Sequence, residues 1–188
     1  MTAADTRFVE IYEMSYRHVY GYCRRRTSAD RVDDAVADTY LTAWRKIDQV
    51  PRGDDCLPWL YGVAYRVLGR QYRGASRRGR LAEKLASVGA EPVSLPEEYV
   101  VMRDEARLVH EALGNLKPTD QEILKLTAWE ELSHDEAAIA LGISRGATRQ
   151  RIHEAKKNLA REYTRLEKKR SPVSTIEEGG AWWQRKNA

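Results

Sequence analysis

One phenylalanine stands among 188 residues, against ten tyrosines and five tryptophans, so nearly every aromatic ring carries a polar group that needs a partner or water. Cysteine is as scarce: Cys23 and Cys56 lie far apart and outside any C-x-x-C pattern. The four histidines, His18, His110, His134 and His153, never pair at ligand spacing. These absences argue against a disulfide framework or a zinc site, and the expected metals and cofactors are none. No apolar run approaches the roughly 18 residues that would span a bilayer, and the N-terminal stretch lacks the basic, apolar, small-residue order of a secretion signal. The expectation is a cytoplasmic protein. No window alternates in the manner of a strand, and no solenoid period repeats. A nucleophile–base pair, a phosphate-binding glycine loop and a metal cluster are all missing, which argues against an enzyme and against a small-molecule substrate.

What the sequence has is charge, and it is segregated. Lys and Arg number 32 against 28 Asp and Glu, a formal net charge of only +4. Residues 120–136 nevertheless hold six acids and one base, whereas 144–170 hold ten bases and three acids. Between 56 and 82 there is no acid at all. Such single-sign stretches repel themselves unless an anion is present, which points to a polyanionic partner.

The stretch SVGAEPVSLPE joins Gly, two Pro and Ser without helical period and reads as a flexible linker. It divides the chain into a first domain at 1–86, a linker at 87–102, a second domain at 103–170 and a tail at 171–188. The tail carries Trp182 and Trp183, costly to leave in water, among residues that otherwise favour disorder.

Everything periodic is helical, so the fold class is all-α in two domains. Phe8, Ile11, Tyr12, Ser15, Val19 and Tyr22 give helix one its apolar face. Val32, Val36, Tyr40, Ala43 and Ile47 do so for a second helix, capped by Ser28 or Asp30 and ended before Pro51, with Asp34, Asp38 and Leu41 on its other face. A third helix is expected to start at Pro58 and to bury Leu60, Val63, Ala64, Val67 and Leu68. Along it Arg66, Arg70, Arg73 and Arg77 recur at i, i+4, i+7 and i+11, forming one guanidinium stripe with Tyr61, Tyr65 and Tyr72 interleaved. Rings beside arginines suit single-stranded nucleic acid, because each base offers a face to stack on. Trp44 and Trp59 read as core.

In the second domain Thr119-x-x-Glu122 and Ser133-x-x-Glu136 both read as capping boxes that open helices. The latter helix is short and ends at Gly142, and a basic helix follows from about 145. A short helix, a glycine turn and a basic helix form the helix-turn-helix pattern. Ile152, Ala155, Leu159, Tyr163 and Leu166 make the buried stripe of the last helix. Gln150, His153, Lys157 and Arg161 fall opposite, flanked by Arg149, Glu154 and Lys156, with Arg145 at the start. Such groups can pair with base edges or neutralise phosphates.

With these residues in hand, three blocks resemble one family in its own order: DDAVADTYLTAW, then WLYGVAYRVLGRQYRGASRR, then LGNLKPTDQEILKLTAWEELSHDEAAIALGISRGATRQRIHEAKKNL. They are similar to bacterial sigma factors of the extracytoplasmic-function type over about residues 7–166. The resemblance implies a sigma-2 domain that binds the clamp coiled coil of core RNA polymerase and opens the minus-10 element. It also implies a sigma-4 domain that binds the flap tip and reads the minus-35 element. Promoter DNA and the polymerase core are the implied partners, with an anti-sigma factor covering both polymerase-binding faces as an optional one. Carried onto this chain, the clamp-facing positions are Asp34, Asp38 and Leu41, and the loop 47–57 is the specificity loop. Ala37 stands where the family often has Gln, Arg66 where many members have Asn, and Glu154 where many have Arg. A free-standing helix-turn-helix regulator is the alternative the sequence leaves open.

Overall fold

The computed structural model describes residues 2–83 and 104–170, with side chains through 73 and again from 106. The expected linker at 87–102 and the tail with Trp182 and Trp183 lie outside the described residues, as does the Arg77 side chain. Seven α-helices make up the described chain: α1 at Ala3–Arg24, α2 at Ala29–Arg45, α3 at Cys56–Glu83, α4 at Asp104–Gly114, α5 at Pro118–Ala128, α6 at His134–Leu141 and α7 at Arg145–Arg170. No strand occurs among the described residues.

The first lobe is α1, α2 and α3 packed on one another. Helix α1 opens with a capping box that the periodicity analysis misses: the Thr2 hydroxyl accepts from the Asp5 amide and the Asp5 carboxylate reaches back to the Thr2 amide. Ser28 is the N-cap residue of α2, as expected. Inside, Ile11, Val19, Tyr22, Val32, Ala35, Val36, Tyr40, Ala43, Leu60, Val63, Ala64 and Val67 are buried. Ser15, the polar member of the α1 stripe, is satisfied by hydrogen bonds to the Ile11 carbonyl and, at 2.8 Å, to the Tyr40 hydroxyl. Two short 3-10 turns, Ile47–Gln49 and Gly53–Asp55, build the loop between α2 and α3. Arg7 of α1 fastens this loop, donating to the carbonyls of Ile47, at 2.8 Å, and of Val50.

Three local expectations are corrected. Helix α3 starts at Cys56, two residues before Pro58, because a proline is tolerated anywhere in the first turn, where no amide is yet needed for an intrahelical bond. Trp44 is 40% exposed and meets the Phe8 ring edge-on at 5.2 Å, so it rims the core rather than filling it. The proposed Thr119–Glu122 box does not form. Pro118 sits in the first turn of α5 and Lys117 is its N-cap, which leaves Glu122 more than a turn inside the helix, out of reach of the cap amides.

The second lobe has its own core, with Leu113, Leu116, Ile123, Leu124, Ile152 and Ala155 joining α4, α5 and α7, and Leu108, Ala112 and Leu166 closing the far end of α4 and α7. The Ser133–Glu136 box does form, with donation in both directions. Helix α6 stops at Gly142, whose φ of 66° lies in the left-handed region, and the amides of Gly142 and Ile143 return to Ile139 and Ala138. The Ser144 hydroxyl then accepts from the Ala147 amide to start α7.

The lobes are not independent balls on a string. Leu126, Leu132, Ala137 and Ala140 of the second lobe are continuous with the first lobe's core, and α6 lies directly against α3. The small side chains of the DEAAIAL segment permit that approach. At Gly62 the fit is tightest: a Cβ there would lie 2.2 Å from the Ala140 carbonyl oxygen.

Candidate nucleic-acid interface

On α3 the arginines at the expected positions point outward: Arg66, Arg70 and Arg73 are all exposed. Partial burial first, and then the neighbouring Arg70, push the Arg66 guanidinium below its ordinary range. The tyrosines divide. Tyr72 is 71% exposed beside the arginines, Tyr65 is half-buried, and Tyr61 is buried with its ring stacked on Tyr22 at 4.9 Å. In this arrangement Tyr61 offers no face to a base, and burial pushes its phenol up to about 12. Periodicity places Tyr61 on α3 but cannot tell that its ring is buried against Tyr22 of α1.

Asp34, Asp38 and Leu41 are exposed together on α2, as the sequence indicates. Leu41 also joins Val9, Phe8, Tyr40 and Trp44 in a shallow apolar groove between α1 and α2, edged by Asp5. An exposed apolar strip with acids at its rim suits a protein partner carrying apolar and basic groups. Val9 and Trp44 are the members of this surface that sequence reasoning missed; their exposure depends on the angle between α1 and α2.

On α7 every expected side chain is outward. Arg149, Gln150, His153, Glu154, Lys156 and Lys157 are exposed, while Thr148, Ile152 and Ala155 are buried behind them. Arg145 is exposed at the N-terminus of α7 and pairs with Asp135 of α6 at 3.3 Å. The Gln150 amide donates to the Glu154 carboxylate at 2.7 Å, so two groups able to read bases are coupled on adjacent turns. The turn at Gly142 and the Ser144 cap fix the angle at which α7 leaves α6.

The chain thus carries an exposed arginine stripe on α3 and an exposed polar and basic face on α7. Residues 11–78 match the model for Sigma-70 region 2, and residues 106–159 match that for Sigma-70, region 4. The RNA polymerase sigma factor CnrH of Cupriavidus metallidurans is 33% identical over 138 residues, covering 69% of this chain and 71% of that protein. The chain belongs to the sigma factors of the extracytoplasmic-function type. Another relative is the ECF RNA polymerase sigma factor SigD of Mycobacterium tuberculosis, 32% identical over 159 residues, covering 80% of this sigma factor and 74% of that one. In fold it is similar to RpoE of Bartonella quintana, solved in complex with the anti-sigma factor NepR, with a TM-score of 0.59 at 22% identity, covering 84% of this chain and 96% of that one. CnrH, solved with the cytosolic domain of CnrY, gives a TM-score of 0.53 at 25% identity, covering 81% and 84%.

Membership decides in favour of promoter-directed transcription initiation and against a free-standing helix-turn-helix regulator. Sigma factors are initiation factors rather than enzymes in the ordinary sense. Among the described residues no cluster could hold a metal ion, and no helix is long and apolar enough to cross a membrane.

Proposed function

We propose that this sigma factor docks on core RNA polymerase through the acidic and apolar surface of α2 and α1, reads the minus-35 element with α7 and captures the minus-10 strand along α3. The observation that carries the reading is the outward α7 face, where six exposed polar or charged side chains stand over a buried stripe behind a well-formed turn at Gly142. Arg149, Gln150, His153 and Glu154 face base edges, with Arg145, Lys156 and Lys157 on phosphates. On the first lobe Asp34, Asp38 and Leu41 contact the polymerase clamp, and the second lobe takes the flap tip. Arg66, Arg70, Arg73 and Arg77 track the single strand, with Tyr61 and Tyr65 supplying stacking faces once exposed. Strand opening needs no covalent chemistry, because binding an extruded base and the unpaired strand offsets an unstacking cost of a few kcal/mol.

The structures of relatives are complexes with NepR and with CnrY, and an anti-sigma factor covering the same α1–α2 groove is the matching regulator for this chain. The test is transcription by purified core polymerase from a library of randomised promoters. This chain should enrich a pair of elements at minus-35 and minus-10 spacing, and footprinting of the duplex by the chain without core should be weak. Strong palindromic footprints without polymerase would reject the reading.

A further inference from the structure

The loop between α2 and α3 has little of its own to hold it. Its first turn, Ile47–Gln49, touches α1 and its second, Gly53–Asp55, touches α3, and each is a single 3-10 turn with no further turn to reinforce it. Val50 is buried and Ile47 packs against the core, which pins one end. Beyond Val50 the chain leaves the core. Arg52, Gly53, Asp54 and Asp55 are exposed, and a Cβ at Gly53 would meet nothing within 4 Å. Gly53 stands at a φ of 64°, a conformation glycine adopts without strain. An open cleft separates this tip from α1, walled by Thr6, Glu10 and Met14 on one side and by Pro51, Arg52 and Asp54 on the other.

Arg7 crosses from α1 to this loop. One terminal nitrogen donates to the Ile47 carbonyl at 2.8 Å and the other to the Val50 carbonyl. These oxygens bracket the first turn, of which Ile47 is the first residue and Val50 the C-cap. Both acceptors are main-chain atoms, so the bonds set the path of the backbone whatever side chains the loop carries. A planar guanidinium holds its donors at a fixed spacing and can tie both carbonyls at once, whereas an ammonium is one compact charge on a flexible stem. From Val50 the chain passes through Pro51, which has no amide to bond, straight to the tip. Cys56, the first residue of α3, closes the loop on the same cleft. It is half-buried: burial pushes its thiol up, and the Arg7 charge pulls it down.

What the loop exposes suits bases better than phosphates. Asp48, Asp54 and Asp55 stand against the one guanidinium of Arg52, with the Gln49 amide beside them. Ionised carboxylates accept from the amino groups of adenine or cytosine and repel phosphate, while an amide both donates and accepts. The loop runs directly into α3, where Arg66, Arg70 and Arg73 lie further along. We propose that Arg7 is a positioning residue for base recognition: by tying the Ile47 and Val50 carbonyls to α1 it holds the acidic tip of the loop in one shape at the head of α3, and so sets which base is preferred in the minus-10 element. This role rests on the minus-10 reading proposed for α3. Groups already in place when the strand arrives lose little freedom on binding it, and they fit one base edge better than the others. A loosened tip adapts to several bases and discriminates less.

The experiment compares the full-length chain with Arg7→Ala, with Arg7→Lys, which keeps the charge, and with Ser133→Ala, a destabilised control whose lesion lies at α6. Circular dichroism establishes that each is folded, and Arg7→Lys carries the same comparisons where the alanine variant is too unstable. The chain has two cysteines and Cys23 is fully buried, so the rate of maleimide labelling of the native chain reads Cys56. Loss of the Arg7 charge would by itself raise the thiol and slow labelling, so acceleration reports an opened loop. Labelling should be severalfold faster in Arg7→Ala, less so in Arg7→Lys, and unchanged in Ser133→Ala. With core polymerase and promoters randomised in both elements, Arg7→Ala should broaden the minus-10 preference and leave the minus-35 preference intact, with partial rescue by Arg7→Lys. Unchanged labelling of Arg7→Ala would overturn the tie. Faster labelling with the minus-10 preference intact would overturn the positioning role, and so would equal broadening in Ser133→Ala or an equal loss at both elements. A wild type that selects no promoter with core polymerase rejects the proposed function and this role with it, whereas an Arg7→Ala chain that selects both elements as the wild type does rejects the role of Arg7 alone.

Discussion

At the scale of single residues, Glu154 is one of the positions where this chain parts from what the resemblance implies, and the structure gives it a partner. Its carboxylate accepts from Gln150 across one turn of α7, on the exposed face. An ionised carboxylate can only accept, so at a base edge it favours the amino group of cytosine, and its bond to Gln150 holds that amide in one orientation. Glu154→Arg should therefore change the preferred base at one minus-35 position, or at two adjacent ones, in a randomised-promoter selection. A uniform rise in affinity with preference intact would leave only the removal of a charge that repels phosphate. Ser133 tests the scaffold instead. Its capping box starts α6, and Ser133→Ala should cost about 1 kcal/mol, read as a lower urea midpoint with unchanged slope.

At the scale of elements, the arginine stripe of α3 makes a quantitative expectation. Each phosphate contact on a single strand contributes roughly 0.7 to the slope of log affinity against log salt. Replacing Arg66, Arg70 and Arg73 by Ala should lower that slope by about 2 and weaken open-complex formation, reported by permanganate reactivity of unpaired thymines. Normal melting with an unchanged slope would make the stripe a solvated face. The stripe was legible because helical spacing alone fixes which side chains share a face, and the same holds for α7 and the Ser133 cap. Glu122 was misread for the complementary reason. A Thr-x-x-Glu spacing states that two groups can meet at a helix start, but Pro118 moved the start and a partner 100 residues away took the carboxylate. Tyr61 is the same case, since period gives the face of a helix and not what lies upon it.

At the scale of the whole molecule, the shared core ties tyrosine and thiol ionisation to docking. Tyr22, Tyr61 and Cys23 lie in the continuous core of the two lobes, and burial raises all three. Tyr61 reaches about 12 from an ordinary 10.0, with the second lobe's Glu130 adding to burial and Arg25 and Arg26 opposing it. Cys23 reaches about 12 from 9.0, by burial against the opposing pull of Arg26. A group whose folded value is raised stabilises the native state fully below its unfolded value and loses that contribution as pH climbs through the folded one. Stability should therefore be unaffected by these groups up to about pH 9, then fall between about 9 and 12 as thiol and phenols are forced to ionise. The expected record is a denaturation midpoint that declines over that window. Tyrosinate absorbance should lag behind that of free tyrosine for the buried rings and then rise together with the increase in particle size seen by scattering. Should all ten tyrosines titrate smoothly near pH 10 while the particle stays compact, the buried aromatic junction between the lobes would not exist in solution.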